Sequence, residues 1–232
     1  MSEARPVRLM LAGSTGLVGR TMMQRMVGEE GFELIALSRR EVKLPRGARM
    51  QMRLADTSLW PEVVHQLRPE VLICALGTTW RKAGRDEEKF RAVDEKLVLE
   101  LGKAAKEAGV EHFIFVSSVG ADPQAKPLYL RVKGEVERAL ARLSFRRLDI
   151  LRPGLLRGRR EGDLRPLEKL GILVSPLADL ALHGHRRKYR SIAVERVVEA
   201  ILGLATERAG GRFIHEHDSL LFAARRLSGH SE

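Results

Sequence analysis

The sequence predicts an α/β protein in which a doubly wound, mostly parallel sheet carries helices on both faces. Three observations predict it. Apolar runs of strand length alternate with stretches of helical periodicity from the N-terminus to about residue 118, and five strands joined this way fit a parallel sheet with crossover helices. One run, Val71 to Leu76, is apolar without interruption, as a strand buried on both faces must be. The first run enters a glycine-rich turn and then a helix. With 232 residues, 44% of them hydrophobic, the chain can bury a substantial core, and one domain over residues 1–232 fits better than two small ones.

The first strand, Val7 to Ala12, leads into Gly13-Ser14-Thr15-Gly16-Leu17-Val18-Gly19, with a helix over about residues 17–28. Strand, glycines and helix in that order form a nucleotide-phosphate cradle. Gly13 makes the tight turn, Gly16 lets backbone N–H groups approach a pyrophosphate, and Gly19 allows the helix to pack closely on the sheet. Ser14, Thr15, Leu17 and Val18 complete the expected contact, beside the positive end of the helix dipole. The same glycines would serve any tight strand-to-helix turn; the context favours the cradle.

The second strand, Phe32 to Leu37, ends in Ser38-Arg39-Arg40. About twenty positions after the glycines, a dinucleotide fold carries Asp or Glu when it binds the ribose 2′-hydroxyl of NAD. Ser38 and Arg39 stand there instead, and a guanidinium pairs bidentately with a 2′-phosphate, so NADP is expected ahead of NAD. The plainer alternative is a pair of solvated loop arginines. Arg49 to Leu54 forms a third strand, followed by Asp56, which is placed for an adenine contact or for a helix cap. A helix over Ser58 to Leu67 has Pro61 in its first turn. The fourth strand, Val71 to Leu76, closes on Gly77-Thr78-Thr79, so Leu76, Gly77 and Thr78 lie beside the nucleotide. An amphipathic helix over about residues 86–108 is stopped by Gly109. His112 to Ser118 is the fifth strand, with Ser117 and Ser118 at the carboxyl end, where open α/β sheets bind ligands.

Tyr129-Leu130-Arg131-Val132-Lys133 then opens a helix that runs to about Leu143. Positions i and i+4 share a helix face, so phenol and ammonium point the same way. A neighbouring ammonium favours a phenolate, and such a pair can exchange a proton with a carbonyl or an alcohol. Ser118 would hold the reacting oxygen, and Lys133 would reach the nicotinamide ribose. Alone, the pair reads equally well as a half-buried Tyr beside a solvated Lys.

In their order, Ala12 to Gly19, Ser117-Ser118, Tyr129 to Lys133 and Arg152-Pro153-Gly154 resemble the short-chain dehydrogenase/reductase superfamily, a Rossmann-fold group, in its extended or atypical branch. More narrowly, Leu76 to Thr79, Lys82-Ala83-Gly84, Ser117 to Asp122 and Leu128 to Glu137 are similar to the Tat-interacting-protein-like group and its bacterial relatives, over about residues 7–205. The resemblance implies that Tyr129 is the acid/base, that Lys133 binds ribose and tunes it, and that Ser118 rather than Ser117 orients substrate. Ser117 is left to the cofactor. It also implies that Pro153, Gly154 and Leu155, after a sixth strand at about residues 147–151, touch the nicotinamide end. From the residues alone, Pro153-Gly154 is a chain-turning signal. The narrower group includes members whose role is protein partnership.

The nucleotide-binding core is thus expected over about residues 6–151, with substrate-side segments at about 152–192 and 212–232. Two short helices between Leu164 and Ala181, a helix over Val194 to Thr206, a strand over Arg212 to His215 and a helix from about Ser219 would close the domain. The basic stretch 157–190, loosened by Gly158, Gly162, Gly171 and Gly184, is expected to flank the substrate pocket as a mobile loop. His183-Gly184-His185 and His215-Glu216-His217 lack a Cys or carboxylate at ligand spacing, so hydrogen-bonding histidines are expected rather than a metal.

A net charge of +11 invites a nucleic-acid reading, but acidic residues interleave with the basic ones and no basic tail exists. A small-molecule substrate, with arginines available to an anionic one, is expected instead. No run approaches transmembrane length and the N-terminus lacks the apolar core of a signal peptide, so no membrane partner and a cytoplasmic location are expected. The sequence therefore points to an NADP-dependent oxidoreductase of a small carbonyl or alcohol. The alternative is a dinucleotide-binding regulatory protein, with a protein partner and no turnover.

Overall fold

Chain winding begins in the middle of the sheet. In the computed structural model, which describes residues 5–158 and 182–228, strand β1 (Val7–Ala12) pairs in parallel with β2 (Phe32–Ser38) on one side and β4 (Val71–Cys74) on the other. Beyond β2 lies β3 (Gln51–Leu54). Beyond β4 follow β5 (His112–Val116), β6 (Arg147–Leu151) and β9 (Gly211–His215). The order β3-β2-β1-β4-β5-β6-β9 makes one seven-stranded parallel sheet. Its topological switch, where ligands bind in such sheets, lies between β1 and β4.

Alternation along the strands builds a core on each face. Leu9, Leu11, Ile73 and Ile114 face α1 (Leu17–Arg25), α6 (Val194–Ala205) and α7 (His217–Ser228). Met10, Leu72, Phe113 and Phe115 face α2 (Trp60–Leu67), α4 (Leu97–Glu107) and α5 (Leu128–Arg142). Leu9 to Ala12 and Val71 to Cys74 are buried throughout, which is why these strands read as unbroken apolar runs. Cys74 is part of this packing, and burial pushes its thiol up to about 11.

Several boundaries differ from the sequence expectation. β4 stops at Cys74 and β5 at Val116, so Leu76, Ser117 and Ser118 belong to the loops that follow. Helix α1 ends at Arg25, and Gly28, at φ +81°, turns the chain towards β2. The helix expected over residues 86–108 is not uniform: α3 (Glu87–Arg91) passes into a π-helical segment, Ala92–Lys96, before α4. A short two-stranded ribbon, β7 (Leu156–Arg157) with β8 (Ile192–Ala193), had no signal in the sequence beyond its apolar residues. The helices expected between Leu164 and Ala181, and most of the basic stretch 157–190, lie outside the described residues.

A buried charge cluster ties β5, β6 and β9 together. Asp149, fully buried in β6, accepts hydrogen bonds from Arg147 and sits 2.7 Å from His112 Nε2 and 2.6 Å from His215 Nε2. Burial alone would raise this carboxyl; its bonds to His112, His215 and Arg147 overcome that and hold it well below the usual range. Burial, with the Arg147 charge nearby, lowers His112 despite the pull of Asp149. The histidines expected to make hydrogen bonds therefore include His215 as a ligand of this carboxylate.

Asp149→Asn leaves the Arg147 guanidinium without its buried counter-charge and is expected to cost about 3–5 kcal/mol in urea unfolding. Because His112 is lowered in the folded state, the unfolded chain binds the extra proton first as pH falls. Stability should decline below the ordinary histidine value of 6.5, with the Asp149 contribution lost only at more acid pH. Thermal melts across that range check it, and His112→Gln should flatten the upper limb.

Candidate functional site

The carboxyl edge of the switch point is built first by backbone. Gly13 adopts φ +104°, and a Cβ there would lie 2.5 Å from the Ala75 carbonyl oxygen, so the turn closes against the end of β4 only without a side chain. A Cβ on Gly19 would lie 2.2 Å from the Gly13 carbonyl oxygen, which fixes how closely α1 sits on its own turn. Gly16 differs: its nearest neighbours would be the Gly13 and Ala75 carbonyl oxygens at 3.3 and 3.9 Å, leaving room above the turn. Helix α1 starts there with no side-chain cap and no acidic residue in its first turn. Its leading N–H groups therefore receive no acceptor from the cap residue, a helix start that favours an anion. Ser14 does not face that space; it is buried and donates to the Leu37 carbonyl at 3.0 Å, binding the turn to the end of β2. This geometry fits the pyrophosphate of a dinucleotide.

At the end of β2, the Ser38 hydroxyl donates to the Arg40 carbonyl at 2.6 Å and fixes the departing chain. A cleft of about 440 Å³ opens beside it, lined by Thr15, Arg20, Gln24, Arg40 and Lys43 among others. Arg39 is exposed but does not line this cleft; its charge acts on Asp56. Asp56 accepts hydrogen bonds from the N–H and hydroxyl of Ser58, each at 3.0 Å, which hold its carboxyl below the usual range. Of the two roles open to Asp56, the structure displays the cap of the helical turn Thr57–Leu59.

The turn after β4 is held by a buried ion pair. Lys133, on α5 and 2% exposed, places Nζ 3.2 Å from Asp94 Oδ1 and 3.4 Å from the Leu76 carbonyl. It also sits 5.0 Å from the Phe115 ring centroid, a cation–π contact. Asp94 Oδ2 accepts the Thr78 N–H at 2.7 Å. Burial pushes the Asp94 carboxyl up, against the Lys133 ammonium and the Thr78 N–H. Gly77 spans the pair; a Cβ there would approach Asp94 Oδ1 to 3.4 Å and Lys133 Nζ to 3.9 Å. Asp94 reaches this position from the π-helical segment, a distortion that recurs where helices present functional side chains. Sequence reasoning missed Asp94. The available signal was a charge on the apolar stripe formed by Phe90, Leu97, Val98 and Leu101.

Tyr129 stands in the first turn of α5, one turn before Lys133, with 42% of its surface exposed. Its ring packs edge-on against buried Phe90, centroids 6.3 Å apart. The two serines after β5 part ways. Ser117 is buried and its hydroxyl donates to Glu137, which also accepts Arg152 Nε at 3.0 and 3.2 Å. Ser118 is half-buried and donates to the Val119 carbonyl at 3.3 Å. Pro153 accepts the Val119 N–H at 3.0 Å, so the loops after β5 and β6 are joined. Gly154 passes under the chain at Tyr189 and Arg190; a Cβ would lie 2.3 Å from the Arg190 carbonyl oxygen. Leu155 is 52% exposed beside it. Glycine turn, Leu76 to Thr78, Ser118, Tyr129, Lys133 and Pro153 to Leu155 thus all follow or flank carboxyl ends of strands, on the side where β1 and β4 diverge.

Comparison with known proteins agrees with this geometry. Residues 13–175 match the family model described as NAD(P)H-binding. The chain is 36% identical, over 165 residues, to the protein fmp52, mitochondrial, of Emericella nidulans, an alignment covering 68% of this chain and 70% of the relative. By structure it is similar to a Bacillus halodurans protein provisionally described as an NAD-dependent epimerase/dehydratase, at a TM-score of 0.70 and 21% identity, covering 95% of this chain and 99% of the other. It is also similar to MoeE5, solved with UDP-glucuronic acid and NAD, at a TM-score of 0.67 and 17% identity, covering 96% and 82%. These likenesses establish an NAD(P)-binding Rossmann fold. The cytoplasmic expectation is overturned: the Emericella relative and further fungal Fmp52 proteins are named as mitochondrial. That expectation tested for an apolar signal core, whereas organelle leaders are Arg-rich and amphipathic, so the test did not address them.

Lys133→Met strands the Asp94 carboxylate in the interior and is expected to lower the unfolding free energy by about 3–5 kcal/mol. Adding Asp94→Asn removes the orphaned charge while keeping an acceptor for Thr78, so the double variant should recover a substantial part. Urea denaturation of the wild type, both single variants and the double variant measures the coupling; strictly additive losses would show that the two charges do not support each other.

Proposed function

The chain belongs to the NAD(P)H-binding family and is a relative of the Fmp52 proteins, and from that premise we propose that it is an NADP-dependent oxidoreductase of the short-chain dehydrogenase/reductase type, interconverting a small carbonyl compound and its alcohol. The observation that carries this reading is Tyr129: an exposed phenol at the carboxyl edge, one helical turn from a lysine whose charge is buried against the loop expected to hold the cofactor. The bound dinucleotide supplies or accepts the hydride. Tyr129 Oη gives its proton to the carbonyl oxygen in reduction and takes it back in oxidation. The Lys133 ammonium offsets the charge left on the phenol, and Ser118, freed from the Val119 carbonyl, donates to the substrate oxygen. Asp94 holds Lys133 in place and keeps Thr78 at the ribose side. Gly13 to Val18 and the start of α1 receive the pyrophosphate, and Pro153 to Leu155 flank the nicotinamide.

The preference for NADP rests on the basic cleft at the end of β2. Arg40, Arg20 and Lys43 outnumber the single carboxylate, Glu41, around a space beside Thr15 that suits a 2′-phosphate, with Arg39 outside the lining and acting on Asp56. The stretches Leu76 to Thr79 and Ser117 to Asp122 support a finer reading within that type, a likeness to the Tat-interacting-protein-like group. A regulatory reading without turnover is favoured by one feature, the exposed Leu155 and Tyr189 close to the nicotinamide side, which would suit a protein partner.

Tyr129→Phe removes the exchangeable proton and keeps the ring, so NADPH-dependent carbonyl reduction should fall by roughly 100-fold or more while NADPH affinity barely changes. A screen of aldehydes and ketones followed at the nicotinamide absorbance provides the assay; wild-type turnover in the variant would remove Tyr129 from the chemistry. Titration calorimetry should show NADPH bound more tightly than NADH. Arg40→Ala should narrow that gap by about 1.5–3 kcal/mol, and Arg39→Ala by less.

A further inference from the structure

Trp80 lies in the loop after β4, 43% exposed, and packs edge-on against Phe90 with ring centroids 6.2 Å apart. Phe90 is 1% exposed and carries Tyr129 on it in the same edge-on manner at 6.3 Å. One buried ring therefore supports two exposed ones, and one of the two is the proposed proton donor. The loop holding Trp80 is internally bonded: Ala83 N–H donates to the Thr79 carbonyl at 2.9 Å and Arg85 N–H to the Trp80 carbonyl at 2.8 Å. Gly84 and Arg85, at φ +71° and +60°, reverse the chain, and the buried Ala83 anchors it in the core. Trp80 is thus exposed in a fixed place, where its unburied apolar surface is available to a ligand.

We propose that Trp80 and Tyr129 form an aromatic platform that selects planar aromatic carbonyl compounds as substrates. The proposal rests on the reading of Tyr129 as the proton donor, since that reading puts the substrate carbonyl at its hydroxyl. A flat ring system attached to that carbonyl then covers the indole, recovering aromatic contact that a saturated, puckered skeleton of the same size cannot make.

The test uses the NADP⁺-loaded protein and two ketones sharing one carbon skeleton, 2-acetylnaphthalene and 2-acetyldecalin, with binding followed by calorimetry. Wild type should bind the planar ketone roughly three- to tenfold more tightly. Trp80→Ala should erase that preference and Trp80→Phe should keep most of it, with NADPH affinity unchanged in both as the control for folding. Quenching of Trp80 fluorescence gives a second readout, because Trp60 is buried at 3% exposure and bonded to the Ala55 carbonyl at 3.1 Å. An equal preference in wild type and Trp80→Ala, or none in wild type, overturns the platform. Turnover that survives Tyr129→Phe would overturn the chemistry instead, and a Trp80-dependent planar preference would still stand beside that result.

Discussion

The buried pair of Lys133 and Asp94 is the interaction on which the site depends. A lysine 2% exposed needs a counter-charge, and a fully buried aspartate needs donors, so each is tolerable only with the other in place. Meeting that requirement joins three parts of the chain: α5, the π-helical segment before α4, and the turn after β4 through the Leu76 carbonyl and the Thr78 N–H. Asp94 belongs to the π-helical turn Ala92–Lys96, from which it reaches the Thr78 N–H and the Lys133 ammonium. Tyr129 inherits its position from this arrangement, one turn before an anchored lysine.

Two other carboxylates work in the same way. Glu137 joins Ser117 to Arg152, and so couples the loop after β5 to the end of β6. Asp149 joins β5, β6 and β9 through His112, Arg147 and His215. Each is a charge on an otherwise apolar surface, and each is saturated by donors from a neighbouring strand, helix or loop. The half of the sheet that carries the proposed chemistry is thus held by polar ties as well as by packing. The β1–β2–β3 half combines apolar contact and the backbone fit of Gly13 and Gly19 with the buried Ser14 bond to the Leu37 carbonyl and the Gln51 bond to Glu33.

The division matches the division of labour that the proposed function requires. The cradle for a dinucleotide asks for close backbone approach and for bare N–H groups, and glycine supplies both by omission of a side chain. Proton transfer asks for side chains held at fixed separations, which needs directional partners. The basic residues around the β2 cleft belong to neither demand and concentrate charge at one end of the proposed cofactor path, which accounts for part of the chain's +11 excess.

The sequence by itself determined the fold and the register of the cofactor loop. Continuous apolar strands, alternating helices and the spacing of Gly13, Gly16 and Gly19 are local signals, because backbone conformation and face burial are set by a residue and its near neighbours. It also put Tyr129 and Lys133 one turn apart on one helix, since i and i+4 share a face wherever a helix lies. Only the tertiary structure decided what those residues touch. Lys133 could have been solvated; it is buried because Asp94, 39 positions earlier, meets it there. Ser117 and Ser118 are adjacent and chemically alike, yet Glu137 takes one hydroxyl and leaves the other at the edge. Arg39 and Arg40 are likewise neighbours, and the path of the chain after β2 sends only the second into the cleft. Trp80, in the loop after β4, and Phe90, in α3, become one aromatic unit with Tyr129. For Lys133, Ser117 and Tyr129 the deciding contact joins residues distant in the chain, and no local pattern of propensity or periodicity encodes which distant partner a side chain will meet.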